Sequence, residues 1–216
     1  GDLVTLLSWY QNQLQALAVE IKAGIEVSAS LVTAMNPEVL VIATGSSPLI
    51  PDVPGISSPH VCTCIDLLRG KKKAGKSAVV IGGGLVGCET ALWLARAGHD
   101  VTIIELLPEL MSGGLPVPHM NRQMLLDLLA LNRVKINTGT TLKEITKEGI
   151  MVADGALNLR TIKADTVALA TGFEADNRLY RALTGKIVHL YAVGDCRQPR
   201  NIMEAIWDGY EVGRAI

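Results

Sequence analysis

With 216 residues, 49% of them hydrophobic and 19% charged, the chain can bury the core of one large domain or two small ones, which excludes a disordered segment. A formal net charge of −1 gives no field to draw it to nucleic acid or to an anionic membrane. No apolar run reaches the roughly 18 residues that cross a bilayer, Gly1-Asp2-Leu3 lacks the basic start of a signal peptide, and four cysteines make no disulfide framework, so a reducing cytoplasm is the expected compartment.

Leu3 to Ala18 carries apolar residues at three- and four-residue steps and reads as a helix. Val19-Glu20-Ile21 and Ile25-Glu26-Val27 read as short strand pieces. Val39 to Ala43 is a continuous apolar run, expected as a strand buried on both faces. The stretch Gly45 to Gly55, with Pro48, Pro51 and Pro54, continues neither element and reads as a crossing between domains. Then come a strand at Ala78–Ile81, a helix from Leu85 to Ala97, a strand at Asp100–Glu105 and a helix at Met120–Leu131. Val134 to Ala168 suits several short strands with turns at Gly149 and Asp154-Gly155, closed by Thr166–Ala170. Alternating strands and helices predict an α/β fold with a parallel sheet covered on its faces. Val41–Gly45 and Ala168–Gly172 end two apolar strands in the same Ala-Thr-Gly step.

Gly82-Gly83-Gly84-Leu85-Val86-Gly87 fits G-x-G-x-x-G between an apolar strand and a helix. Gly82 permits the tight turn, Gly84 lets backbone approach a pyrophosphate, and Gly87 lets the helix pack closely on the strand. Leu85 and Val86 open the helix, whose unpaired N–H groups suit phosphate charge. The next strand ends in Ile103-Ile104-Glu105, close to the ~20-residue spacing of a ribose-binding acid. A carboxylate there accepts from ribose hydroxyls and repels a 2′-phosphate, so NAD(H) is favoured over NADP(H). Gly70 to Ser77 also matches G-x-x-x-x-G-K-S, but a helical stretch, Ile65–Arg69, precedes it and a strand follows. A P-loop needs the reverse order, so this segment reads as a solvated basic loop.

Taken in order, several segments resemble the C-terminal region of the NADH:flavin oxidoreductases of the 2-enoate reductase and 2,4-dienoyl-CoA reductase type. They are Ile42–Gly45, Ile81–Glu89, Glu105, Pro118–Arg122, Ala170–Phe173, Tyr191–Cys196 and Ile202–Gly213. The resemblance implies a Rossmann-like, three-layer NAD(H)-binding domain at 50–184, inserted in a partial, discontinuous FAD-binding domain formed by 1–49 and 185–216. It assigns Gly82, Gly84, Leu85, Val86, Gly87, Glu89, Glu105 and Gly172 to NAD(H). To FAD it assigns Thr44, Gly45, Gly194, Asp195, Ala205 and Ile206, with Asp195 holding the ribityl or phosphate region. The helix opening near Asn201 would point its positive end at the flavin. Glu89 resembles the acid that reaches toward the nicotinamide; as a bare residue it reads equally as a helix-surface carboxylate.

The chain departs from the pattern in lacking the first glycine fingerprint of the FAD domain, so the FAD site is expected to be incomplete. Relatives hold FMN in an upstream barrel domain and a 4Fe-4S cluster on a cysteine group; both are expected only in a missing N-terminal part of the same polypeptide. Cys62-Thr63-Cys64 has the wrong spacing for such a cluster. The implied activity is hydride acceptance from NADH, with electrons passing through FAD to reduce an activated alkene such as a 2-enoate or dienoyl-CoA. No side chain is needed as a catalytic acid or base. The alternative is a nucleotide-holding domain, like that of trimethylamine-dehydrogenase-type flavoproteins, which keep ADP at the equivalent place. The expected partners are small dinucleotides and the upstream barrel, and a homo-oligomer is left open. His119 and His189 have no partners in sequence, so no metal is expected; Cys88, Trp93 and Trp207 read as packing residues.

Overall fold

The computed structural model describes residues 2–216; Gly1 lies outside the described residues. The first helix, α1 (Asp2–Ala16), follows the predicted periodicity. The expected strand pieces after it do not form. Val19, Ile21, Ile25 and Val27 are 48–65% exposed, and with no strand beside them short β-branched runs have nothing to pair with. A helix that the pattern did not reveal, α2 (Ala29–Met35), follows instead. Ser28 caps it by accepting from the Leu31 N–H, and Asn36 ends it in the left-handed region at φ 45°.

Strand β1 (Val39–Ile42) was expected to be buried on both faces, yet only Ile42 is fully buried and Val41 is 40% exposed. The reason is its partner. Among the described residues it pairs with one strand only, in parallel, β12 (His189–Ala192), in a two-stranded sheet packed against α2 and α6 (Arg178–Leu183). Helix α7 (Ile202–Ala215) follows a short 3-10 turn at Gly194–Cys196.

Between these segments lies the larger unit. Strands β3 (Val61–Thr63), β4 (Ser77–Ile81), β5 (Asp100–Ile104), β6 (Lys135–Asn137) and β10 (Thr166–Leu169) form one parallel sheet in the order β3-β10-β4-β5-β6. Helices α3 (Cys64–Leu68), α4 (Leu85–Arg96) and α5 (His119–Leu131) cover one face, and the antiparallel meander β7 (Thr141–Thr146), β8 (Gly149–Ala153), β9 (Leu159–Lys163) covers the other. The two-residue period of a strand sorts the core. Along β4, Ala78 and Val80 join Leu94, Leu125 and Leu129 on the helix side, while Val79 and Ile81 join Ile145, Ile150 and Val152 on the meander side. The architecture is thus α/β with three layers, as the sequence predicted. The segment 70–76 runs from α3 into β4, the order that rules out a P-loop.

The two units are joined by a ribbon. Strand β2 (Ser46–Pro48) pairs antiparallel with β11 (Phe173–Ala175), so the proline-rich crossing is partly strand. The repeated Ala-Thr-Gly steps have the same job: each ends a parallel strand and turns into the ribbon, with Gly45 at φ 77° and Gly172 at φ 103°. Thr44 Oγ1 donates to the Asp176 carbonyl at 2.5 Å, and Thr171 Oγ1 to the Leu49 carbonyl at 2.6 Å. Each threonine therefore ties its own strand end to the far end of the other.

Candidate functional site

The chain leaves β4 outward to β5 and β6 and returns to β10 on the other side of β4. Where the strand order of a parallel sheet reverses, loops at the strands' carboxyl ends part and leave a crevice. Here the crevice holds about 570 Å³ and is bordered by Gly82, Gly84, Glu105, Met111, Ala170 and Gly172, among others.

The glycine turn is shaped by crowding on one side and space on the other. Gly82 sits at φ 106°, and a Cβ there would overlap the Ala170 carbonyl. A Cβ on Gly87 would overlap the Gly82 carbonyl, so α4 comes as close to the end of β4 as it does only because residue 87 is glycine. A Cβ on Gly84 would meet no atom within 4 Å, and no side chain caps the N-terminus of α4 there. The start of α4 at Gly84 is therefore uncrowded on the crevice side, and the positive end of the helix dipole lies there.

Glu105 stands at the end of β5, where its carboxylate accepts from the Gly83 N–H at 2.5 Å (Oε2) and from the Leu107 N–H at 2.7 Å (Oε1). These bonds fix the acid at the rim of the crevice, leaving further lone pairs for hydroxyl donors. Of the residues the sequence singled out for NAD(H), Gly82, Gly84, Glu105 and Gly172 border this one space. Leu85, Val86 and Gly87 form the first turn of α4 behind it, while Glu89 is exposed one turn further along.

Sequence reasoning missed the segment after Glu105. Leu110 and Met111 are buried, and the Met111 N–H donates to the Gly83 carbonyl at 2.8 Å with Met111 held at φ 55°. Arg122 of α5 donates to the Leu110 carbonyl through Nε (3.3 Å) and Nη2 (3.1 Å). No apolar period marks such a strap, and in the sequence Arg122 stands out only as the last residue of the Pro118–Arg122 segment. Cys88 is fully buried and donates its Sγ–H to the Gly83 carbonyl at 3.3 Å. Burial pushes its thiol up to about 12, with the carboxylates of Glu105 and Glu89 adding to the effect. The four cysteines are buried and free, and no metal-ligating cluster occurs among the described residues. Trp93 and Trp207 are about half exposed, so neither fills a core.

The residues assigned to FAD gather at the other unit. Gly194, at φ 64°, lies over Ala205, and its N–H goes to the Asp208 carboxylate at 2.9 Å. Asp195 accepts from Ser46 Oγ (3.1 Å) and from the Arg200 N–H (3.1 Å). Asp208, buried and paired with Arg197 and Arg200, was not foreseen; an isolated acid on an exposed helix carries no sequence signal of its role. Asn201 caps α7 by accepting from the Glu204 N–H at 2.9 Å, and Ile206 is 47% exposed. Thr44 and Gly45 sit where β1 enters the ribbon.

A glycine turn tight against the sheet, an uncapped helix start and an acid on the next strand are the parts of a dinucleotide site, and residues 9–209 match pyridine nucleotide-disulphide oxidoreductases. The chain belongs to that family. Membership implies FAD and NAD(H) binding in an oxidoreductase. The chain is 35% identical to cinnamate reductase of Clostridium sporogenes over 98% of its own length and 31% of the relative's. It is 31% identical to NADH oxidase of Thermoanaerobacter brockii, covering 94% of this chain and 32% of that one. It superposes on 2-naphthoyl-CoA reductase, solved as a complex with 2-naphthoyl-CoA, with a TM-score of 0.90 and 34% identity, over 100% of this chain and 32% of that one. The chain thus spans about a third of the length of these relatives. The resemblance to enoate-type flavin reductases runs along nearly the whole sequence. No described helix is long and apolar enough to cross a membrane.

Proposed function

We propose that the chain is the electron-entry part of a larger NADH-dependent flavoprotein, with residues 50–184 binding NAD(H) and residues 1–49 and 185–216 completing an FAD-binding domain. The observation that carries this reading is the shared crevice, where the uncapped start of α4 and the Glu105 carboxylate border one space. When bound, NADH supplies a hydride and FAD accepts it; the chain's own residues bind and orient. The Gly84 amide and the first turn of α4 take the pyrophosphate, Glu105 takes ribose hydroxyls, and the same carboxylate disfavours a 2′-phosphate. Around Gly194 and Asp195, the tethers from Ser46, Arg200 and Asp208 pre-set an acid for a polyol or phosphate-proximal hydroxyl.

The similarity to cinnamate reductase and 2-naphthoyl-CoA reductase supports a terminal acceptor with a conjugated, activated double bond, such as a 2-enoate or dienoyl-CoA. Upstream domains carrying FMN and a 4Fe-4S cluster would relay the electrons. The test is a parallel titration of the chain with NADH, NADPH and ADP. Tighter binding of NADH than of either competitor supports the electron-entry reading. ADP binding as tight as NADH would instead support a domain that only holds a nucleotide.

A further inference from the structure

The Gly84 amide, the phosphate-facing donor of the proposed site, stands at the end of a hydrogen-bonded line that begins at a cation outside the crevice. Arg122 donates to the Leu110 carbonyl through Nε and Nη2. That carbonyl and the Met111 N–H belong to one peptide plane, and the Met111 N–H donates to the Gly83 carbonyl at 2.8 Å. The Gly83 carbonyl in turn shares a peptide plane with the Gly84 N–H, which finds no acceptor among the described residues. Two planar amides are thus stacked donor to acceptor between the guanidinium and the space before α4. We propose that Arg122 is a positioning residue for the dinucleotide's phosphates, acting through these two peptides on the Gly84 amide. The inference rests on the NAD(H) reading of the crevice.

Three features support it. A cation at the acceptor end of an amide polarises it, and each bond in a chain strengthens the next, by about 10–30% per bond. The Cys88 thiol adds a second donor to the Gly83 carbonyl, withdrawing density from the same peptide. The geometry is also maintained at a cost, since Met111 occupies the left-handed region that a bulky side chain disfavours. The Arg122 pair with Glu109, at 2.8 Å, involves a carboxylate that is 69% exposed and contributes little by itself. The carbonyl bonds are what reach the glycine turn.

The experiment compares the 216-residue chain with R122K, R122Q and E109Q, using ADP as the phosphate-bearing probe and adenosine as the control. R122Q should raise the ADP Kd about fivefold, the loss of one charge-assisted contact felt through two peptides. R122K, which keeps a cation on the Leu110 carbonyl, should raise it less, and E109Q should match the parent. Adenosine binding should not change, and the Gly84 amide proton should shift upfield in R122Q with R122K between. Equal weakening by R122K and R122Q, equal loss of adenosine, or an unmoved Gly84 resonance overturns the proposal. If R122Q fails to fold, R122K decides: it must weaken ADP and move the Gly84 proton. A parent chain that binds neither ADP nor NADH sinks the NAD(H) reading instead, while the Gly84 resonance still tests the relay.

Discussion

Two glycines three positions apart should fail in opposite ways when each is given one methyl group. At Gly87 a Cβ would overlap the Gly82 carbonyl and lie 3.2 Å from Ala170 Cβ. Neither can yield without lifting α4 off the sheet, which puts the packing cost near the upper end of the usual range, about 3 kcal/mol. Replacing a helical glycine by alanine returns about 1 kcal/mol. The net loss of about 2 kcal/mol, at roughly 2–4 °C per kcal/mol for a chain of this size, lowers Tm by about 4–8 °C. At Gly84 the backbone is extended (φ −69°, ψ −177°) and a Cβ meets nothing within 4 Å, so G84A should melt within about a degree of the parent. Its methyl group would instead intrude on the phosphate approach. Loss of one charge-assisted bond of about 1.5–3 kcal/mol corresponds to a roughly 10- to 100-fold weaker NADH complex. Thermal melts and NADH titrations of the two variants check both halves. A G87A variant as stable as the parent, or a G84A variant that keeps full NADH affinity, would refute the reasoning.

E105Q removes the charge that opposes a 2′-phosphate and keeps one oxygen to accept from either the Gly83 or the Leu107 amide, its NH2 being unable to accept from the other; the preference for NADH over NADPH should fall at least about fivefold in side-by-side titrations. Burial raises the thiols of Cys62 and Cys64 from 9.0 to about 11 and that of Cys88 to about 12. The unfolded chain then releases these protons first, so their contribution to stability is full below pH 9 and is lost as pH rises toward 11–12; denaturant melts at pH 8 and pH 10.5 should show the decline. D208A leaves Arg200 and the Gly194 N–H without their buried acceptor and should cost about 3 kcal/mol in urea unfolding, whereas a loss under about 1 kcal/mol would show that Arg200 re-pairs with Glu204.

What could be read in the sequence was whatever has a strong local period or a motif fixed by sterics. Ala78–Ile81 and Leu85–Ala97 became β4 and α4 within a residue or so, because a buried strand feeding a glycine turn leaves few alternatives. The acid at 105 was placed by spacing alone and does border the crevice. Elements whose existence depends on distant partners were not legible. The residues of β2 and β11 lie about 125 positions apart and are paired only because two Ala-Thr-Gly steps meet in space. Val19–Ile21 has strand composition but no neighbour, and α2 is seven residues long, too short for its period to stand out. The strap at 110–111 is specified by Arg122, whose carbonyl bonds leave no trace in hydrophobic pattern.

The ribbon has a consequence for how such a protein is put together. Because β2 and β11 are adjacent antiparallel strands, the outgoing and returning chain stand about one strand spacing, roughly 4.8 Å, apart where the larger unit begins and ends. Everything from 50 to 172 is therefore a cassette with its two ends side by side, of the kind that can be lost, gained or exchanged while the host strands stay in register. Thr44 and Thr171, each latching the opposite end, act as its clasps. A host fold that gained or lost the larger unit at this clasp would keep its own β1–β12 pairing, which involves no residue of that unit.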